Sequence, residues 1–265
     1  MTATERIVLQ KRDKHLLREL SLMRVVDREQ AKLVAGFGST TRANLRLLRL
    51  TRAKLLRRFF LGTTAGGRRA VYALTEKGAH LVNVPYRGIW RRHDDETLVA
   101  DFFVQHQLRV NKLYCALKYK PIPIPGVAFR RWISFSQPLA PGIALIPDGY
   151  VELTTPTGTV ACFLEVDLGT EPLRVWKEKV EHYLQFARRG EHERLFGEKQ
   201  FRVLVVANSL RRSQSIRQAV APIIHKIFWF TDFQAIDREG LWGRIWFRPK
   251  GDELRSLIEP SNTQP

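Results

Sequence analysis

FLEVDLGTE, residues 163–171, is an apolar run that carries two carboxylates two residues apart. Side chains alternate along a strand, so Glu165 and Asp167 share one face with Phe163, while Leu164, Val166 and Leu168 take the other. Burying a carboxylate without a partner is costly, and a metal ion or a lysine is the usual compensation. Upstream, GIALIPD (residues 142–148) is a second apolar run that ends on an acid, Asp148. If the two runs pair, Asp148 and Glu165 form an all-oxygen site suited to Mg2+ or Mn2+.

Working outward in the C-terminal direction, apolar spacing predicts a helix over 173–188, with Trp176, Val180, Tyr183, Leu184 and Ala187 facing inward. Lys179 and Tyr183 are four apart and share a helix face. A strand at 201–207, a helix at 210–220 and strands at 223–230 and 242–247 follow, and the chain beyond 249 reads as a flexible tail. In the N-terminal direction come strands at 145–153 and 127–136, the latter bracketed by prolines, and a helix over 94–118 headed by Asp94, Asp95 and Glu96. His106 and Asn111 lie in that helix without metal-ligand companions and read as surface or packing residues. NVPYRGIWRRH, residues 83–93, reads as a linker, with Trp90 packing across the joint.

The first third has a different character. Residues 1–92 hold 21 Lys and Arg against 6 Asp and Glu, and the remainder 23 against 20, so most of the net charge of +18 sits at the front. Such asymmetry marks a nucleic-acid-binding module joined to one with another task. Leu16, Leu17, Leu20 and Met23 make one helical stripe, and Asp27 with Gln30 is a capping-box pair for a second helix. After Gly36-Phe37-Gly38, Ser39 or Thr40 caps a third helix. Leu45 and Leu48 are expected to face inward there, and Arg42, Asn44, Arg46 and Arg49 outward. A strand over 53–60, a Gly-Gly loop with Arg68 and Arg69, and a strand over 70–74 come next, then YALTEKGAHLV opens another helix.

That order resembles a winged helix-turn-helix DNA-binding domain over residues 12–82. Thr40, Thr41, Arg42, Asn44, Arg46 and Arg49 would then read the major groove, and Arg68 and Arg69 would reach phosphates or the minor groove. From residue 94 the element order, Pro147-Asp148 and Glu165-Val166-Asp167 resemble the restriction-endonuclease-like fold with its PD-(D/E)xK motif. Asp167 stands where that family usually has lysine, and Lys179 is the replacement this reading favours.

The whole chain is similar to the bacterial replication-relaxation family. The features that carry the resemblance are the winged helix, HxLxVN at 106–111, PDG at 147–149, ExDxGTE at 165–171 and KxxxY at 179–183. The fold class expected is therefore α+β or α/β: a winged helix (1–82), a linker (83–93), a nuclease-like mixed-sheet domain (94–248) and a tail (249–265). The resemblance implies plasmid or mobile-element DNA processing. Asp148 and Glu165 would hold Mg2+, Lys179 would offset transition-state charge, and Asp167 would join a second metal or position water. Glu171 is expected to cap the following helix. In the bland alternative, Glu165 and Asp167 emerge into solvent beside Arg174 or Lys177.

Two rival functions remain. One is a non-catalytic DNA-binding regulator or replication initiator with a degenerate nuclease fold, supported by the missing lysine. The other is a relaxase using a covalent tyrosine at Tyr150 or Tyr183. Double-stranded DNA is the expected partner, with a second copy of the chain and plasmid replication or transfer proteins as further ones. No apolar run is long enough to span a bilayer, the N-terminus lacks an apolar signal segment, and Cys115 and Cys162 read as buried thiols, so a bacterial cytoplasmic protein is expected.

Overall fold

A computed structural model describes residues 7–62, 66–87, 98–224 and 226–259. The expected contact of Trp90, the acidic helix start at 94–96 and the end of the tail lie outside the described residues. The chain divides into two compact units, Met1–Tyr119 and Lys120–Pro265.

The first unit runs α1 (Lys11–Met23), β1 (Val25–Asp27), α2 (Arg28–Val34), α3 (Thr40–Arg52), β2 (Leu56–Gly62), β3 (Arg68–Leu74), α4 (Glu76–Leu81) and α5 (Leu98–Lys118). Its antiparallel sheet has the order β1-β3-β2; β1, read from the sequence only as a break between helices, is an added strand, and the other elements up to α4 come in the order read. The caps act as expected. Asp27 Oδ1 accepts from Gln30 N at 2.8 Å, and the Ser39 hydroxyl accepts from Arg42 N at 3.3 Å. In YALTEKGAHLV the glycine is required by close approach: a Cβ on Gly78 would sit 2.3 Å from the Leu55 carbonyl oxygen.

Readings of both α3 and the long helix that follows need correction. In α3 the inward line is Ala43, Leu47 and Leu50, whereas Leu45 is 55% exposed. The long helix α5, expected to open the nuclease-like domain, belongs to the first unit. Its Asn111 is buried and donates from Nδ2 to the Met23 and Val25 carbonyls at 2.9 and 2.6 Å, where α1 gives way to β1. Gln30 of α2 donates to the Leu108 carbonyl at 2.7 Å, and Val104 and Leu108 pack with Val25, Leu61, Val71 and Ala73. The HxLxVN motif is thus a packing and hydrogen-bonding motif. Asn111 has this role because one amide supplies two donors to carbonyls left over between two elements.

The second unit runs β4 (Ala128–Ile133), β5 (Gly149–Thr155), β6 (Gly158–Asp167), α6 (Leu173–Arg188), α7 (Glu191–Phe196), β7 (Arg202–Ala207), α8 (Leu210–Val220), β8 (Phe228–Asp232) and α9 (Phe233–Glu239). The sheet order is β4-β5-β6-β7-β8, antiparallel through β6 and parallel from β6 to β8. This mixed sheet is compatible with the expected fold. Tyr150, Phe163, Val203 and Phe228 stand in register across four strands. They pack against Trp176, Val180, Tyr183 and Phe186 of α6 and Ile216 and Val220 of α8. Ala187, expected inward, is exposed; Phe186 takes that place. Residues 145–148 precede β5 instead of forming it, and 242–247 contributes only isolated bridges, Phe230 to Phe247 and Trp246 to Arg255. α7 and α9 are too short for periodicity to reveal. Among the described residues no helix is long and apolar enough to cross a membrane.

Candidate active site and nucleic-acid interface

Glu165 lies near the end of β6, only 1% exposed. It does not emerge into solvent. Its Oε2 accepts from Lys179 Nζ at 2.9 Å and its Oε1 from the Tyr183 hydroxyl at 2.7 Å, both from the inward face of α6. Lys179 also meets Glu171 Oε2 at 2.8 Å and lies 4.8 Å from the Trp176 ring centre. Glu171 therefore ion-pairs, and does not cap α6; the N-cap is Pro172.

Asp148 sits one residue before β5. Its N–H donates to the Leu164 carbonyl at 3.1 Å, and its Oδ2 accepts from Val166 N at 2.7 Å, so the side chain continues the ladder. Its charge acts on Glu165, Lys179 and Tyr183. The next residue must be small, because a Cβ on Gly149 would lie 2.3 Å from the Trp132 ring. Pro147-Asp148-Gly149 and Glu165 are thus brought together by one pair of strands.

The electrostatics follow from burial. Burial raises the Glu165 pKa above the usual carboxylate range, and Asp148 adds to it, against the pull of Lys179 and Tyr183. Burial alone would lower Lys179, but Glu165 and Glu171 override it and raise its pKa. The cluster holds a lysine firmly charged beside a carboxylate that is reluctant to ionise.

Asp167 faces the same way but has other partners. Arg212 of α8 binds both its oxygens, at 2.8 and 2.9 Å, Trp176 Nε1 donates at 2.9 Å and Gly169 N at 2.6 Å. Burial would raise its pKa; Arg212, Trp176 and Gly169 outweigh that and hold it low. Arg212 also donates to the Glu171 carbonyl. Sequence reading missed Arg212, and no local signal reveals it, since it lies 45 residues downstream. Among the described residues no group of three or more His, Cys, Asp or Glu side chains is placed to hold a metal ion.

The two tyrosines considered as nucleophiles are both fully buried, with hydroxyls committed to carboxylates: Tyr183 to Glu165, and Tyr150 to Glu152 at 3.0 Å. Burial, then those carboxylates, pushes both phenols up, which opposes phenolate formation. The covalent-tyrosine reading falls on that geometry. Both cysteines are buried free thiols, and burial pushes Cys162 up to about 12.

In the first unit, Thr41, Arg42, Asn44 and Arg49 are exposed on α3, as is Arg68 on β3. Thr40 is half-buried and accepts from Lys32 Nζ at 3.4 Å. Arg46 does not face outward: its Nε donates to Asp13 Oδ1 at 2.9 Å, its Nη2 to Asp13 Oδ2, and its side chain is 12% exposed. Arg69 is half exposed and pairs with Asp27, the cap of α2.

A family model described as replication-relaxation matches residues 17–198, from within α1 through α7. No curated protein and no solved structure matches the chain.

Proposed function

The chain belongs to the replication-relaxation family, and on that premise we propose that it acts on DNA in plasmid or mobile-element replication or mobilisation. In this reading the first unit holds duplex DNA through α3 and the β2–β3 hairpin, and the second unit nicks DNA with a divalent metal ion. The observation that supports cleavage is the meeting of Asp148 with Glu165 under a charged Lys179. Two hard carboxylates suit Mg2+ or Mn2+, which takes one or two of them together with phosphate and water. Burial, with Asp148 adding to it, raises the Glu165 pKa, and a bound cation would offset both. When bound, such an ion polarises phosphate oxygen and acidifies water.

The chain's own residues do the rest. Asp148 and Glu165 would hold the ion. Lys179, kept charged by Glu165 and Glu171, would face the charge that develops on the phosphate. Tyr183 orients Glu165. Asp167, locked to Arg212 and Trp176, positions the strand end and does not handle water. The test is supercoiled plasmid incubated with Mg2+ or Mn2+. Wild type is expected to give nicked circles and Glu165→Gln none; equal nicking by both sinks the nuclease.

A second reading, the non-catalytic regulator or initiator, draws on two observations. Among the described residues no three-ligand cluster exists, and the acid in the usual lysine position is spent on Arg212. Calorimetry with Mn2+ separates the two. No heat and no nicking, with DNA binding intact, selects the regulator.

A further inference from the structure

The exposed leucine of α3 has a use that its position suggests. At 3.6 residues per turn, Ala43, Leu47 and Leu50 define the buried line of the helix, and Leu45 stands about opposite it. Leu45 shares a ridge with Thr41, four residues before, and Arg49, four after, and all three are exposed. Arg42 and Asn44 flank it, also exposed, and residues 39–52 contain no acid, although Arg46 is turned away to Asp13. This ridge is complementary in charge to nucleic acid, and a large aliphatic side chain stands at its centre.

Isolated exposed leucines are ordinary. This one is set apart by its surroundings: groups suited to phosphates and to the polar edges of bases border it on both sides. Among the base edges in the major groove, the apolar feature is the C5-methyl group of thymine. We propose that Leu45 packs against a thymine methyl and so makes this helix select thymine at one or two positions of its site. The proposal rests on the reading that the first unit holds double-stranded DNA. It adds which bases that surface distinguishes and by what contact.

The experiment uses the full chain. Preferred duplexes are recovered from a randomised pool. Each thymine is then replaced singly by deoxyuridine, which removes only the methyl group, and affinity is measured at fixed salt. Wild type is expected to bind about fourfold more weakly when the contacted thymine is replaced, the value of one buried methyl-sized group. Leu45→Ala, at an exposed position where alanine favours the helix, is expected to keep its melting temperature and its affinity for unrelated duplexes, and to lose the discrimination. The proposal is overturned if no deoxyuridine substitution changes wild-type binding. It is overturned equally if Leu45→Ala discriminates as well as wild type, or loses affinity for every duplex alike. A chain that binds no duplex at all defeats the DNA-binding reading itself, a different result from binding without methyl sensitivity.

Discussion

Arg42 and Arg46 lie one turn apart on α3 and do different work. Arg42 is exposed; Arg46 is the counter-ion of Asp13, which is fully buried. Removing one partner of a buried pair strands the other charge, so Arg46→Ala should cost about 3–5 kcal/mol in urea unfolding. Arg42→Ala should leave stability unchanged, weaken DNA binding, and lower the slope of log affinity against log salt by about 1. Fluorescence anisotropy across a salt series checks both, and a stable Arg46→Ala protein would contradict the assignment. Asp167 contributes to acid sensitivity by similar logic. Its folded pKa is depressed, so its contribution is present above the unfolded carboxylate value, about 3.9, and is lost as pH falls through the folded value. Asp167→Asn should destabilise at neutral pH by about 3–5 kcal/mol and flatten the acid limb of the stability profile. A wild-type slope below pH 4 in that variant would refute the pairing.

At the scale of elements, single polar or small residues decide how helices dock. Asn111 holds α5 by giving two hydrogen bonds to buried carbonyls. Asn111→Ala should cost about 1–3 kcal/mol in thermal or urea unfolding. Asn111→Asp should be worse, because a carboxylate presents only acceptors to acceptors. Gly78 makes the opposite point about propensity. Alanine is the better helix former, yet its Cβ would press on the Leu55 carbonyl. Gly78→Ala should therefore destabilise by about 1–3 kcal/mol, the usual cost of forced overpacking. A rise in melting temperature would show that α4 can shift away from β2. In the second unit, α6 supplies Trp176, Lys179 and Tyr183 from one face, so a single helix serves both acids of β6.

Over the whole molecule, charge is divided between the two units. Residues 1–119 carry 24 Lys and Arg against 10 Asp and Glu; residues 120–265 carry 20 against 16. Most of the sequence-independent attraction for DNA is therefore expected from the first unit. A protein that neutralises six or more phosphates should lose about a thousandfold in affinity between 50 and 200 mM salt. Binding that barely responds to salt would mean that the basic excess serves another end. The second unit is nearly balanced in charge, and the two acids at the end of β6 sit in buried ion pairs with Lys179 and Arg212.

Much of this was legible in the chain. Caps at Asp27 and Ser39, the stripe from Leu16 to Met23, and the alternation around Phe163 are local patterns, written within a few residues of where they act. That Lys179 and Tyr183 share a helix face was readable from their four-residue spacing, but that both close on Glu165 was decided by the packing of α6 on β6. Which cation serves Asp167, which arginine of α3 turns inward, and which unit claims α5 were not readable. Those outcomes depend on partners 33 to 86 or more residues away. Periodicity reports only on a residue's own element, whereas the neutralisation of a buried charge depends on what the sheet order and helix packing carry to within 3 Å of it.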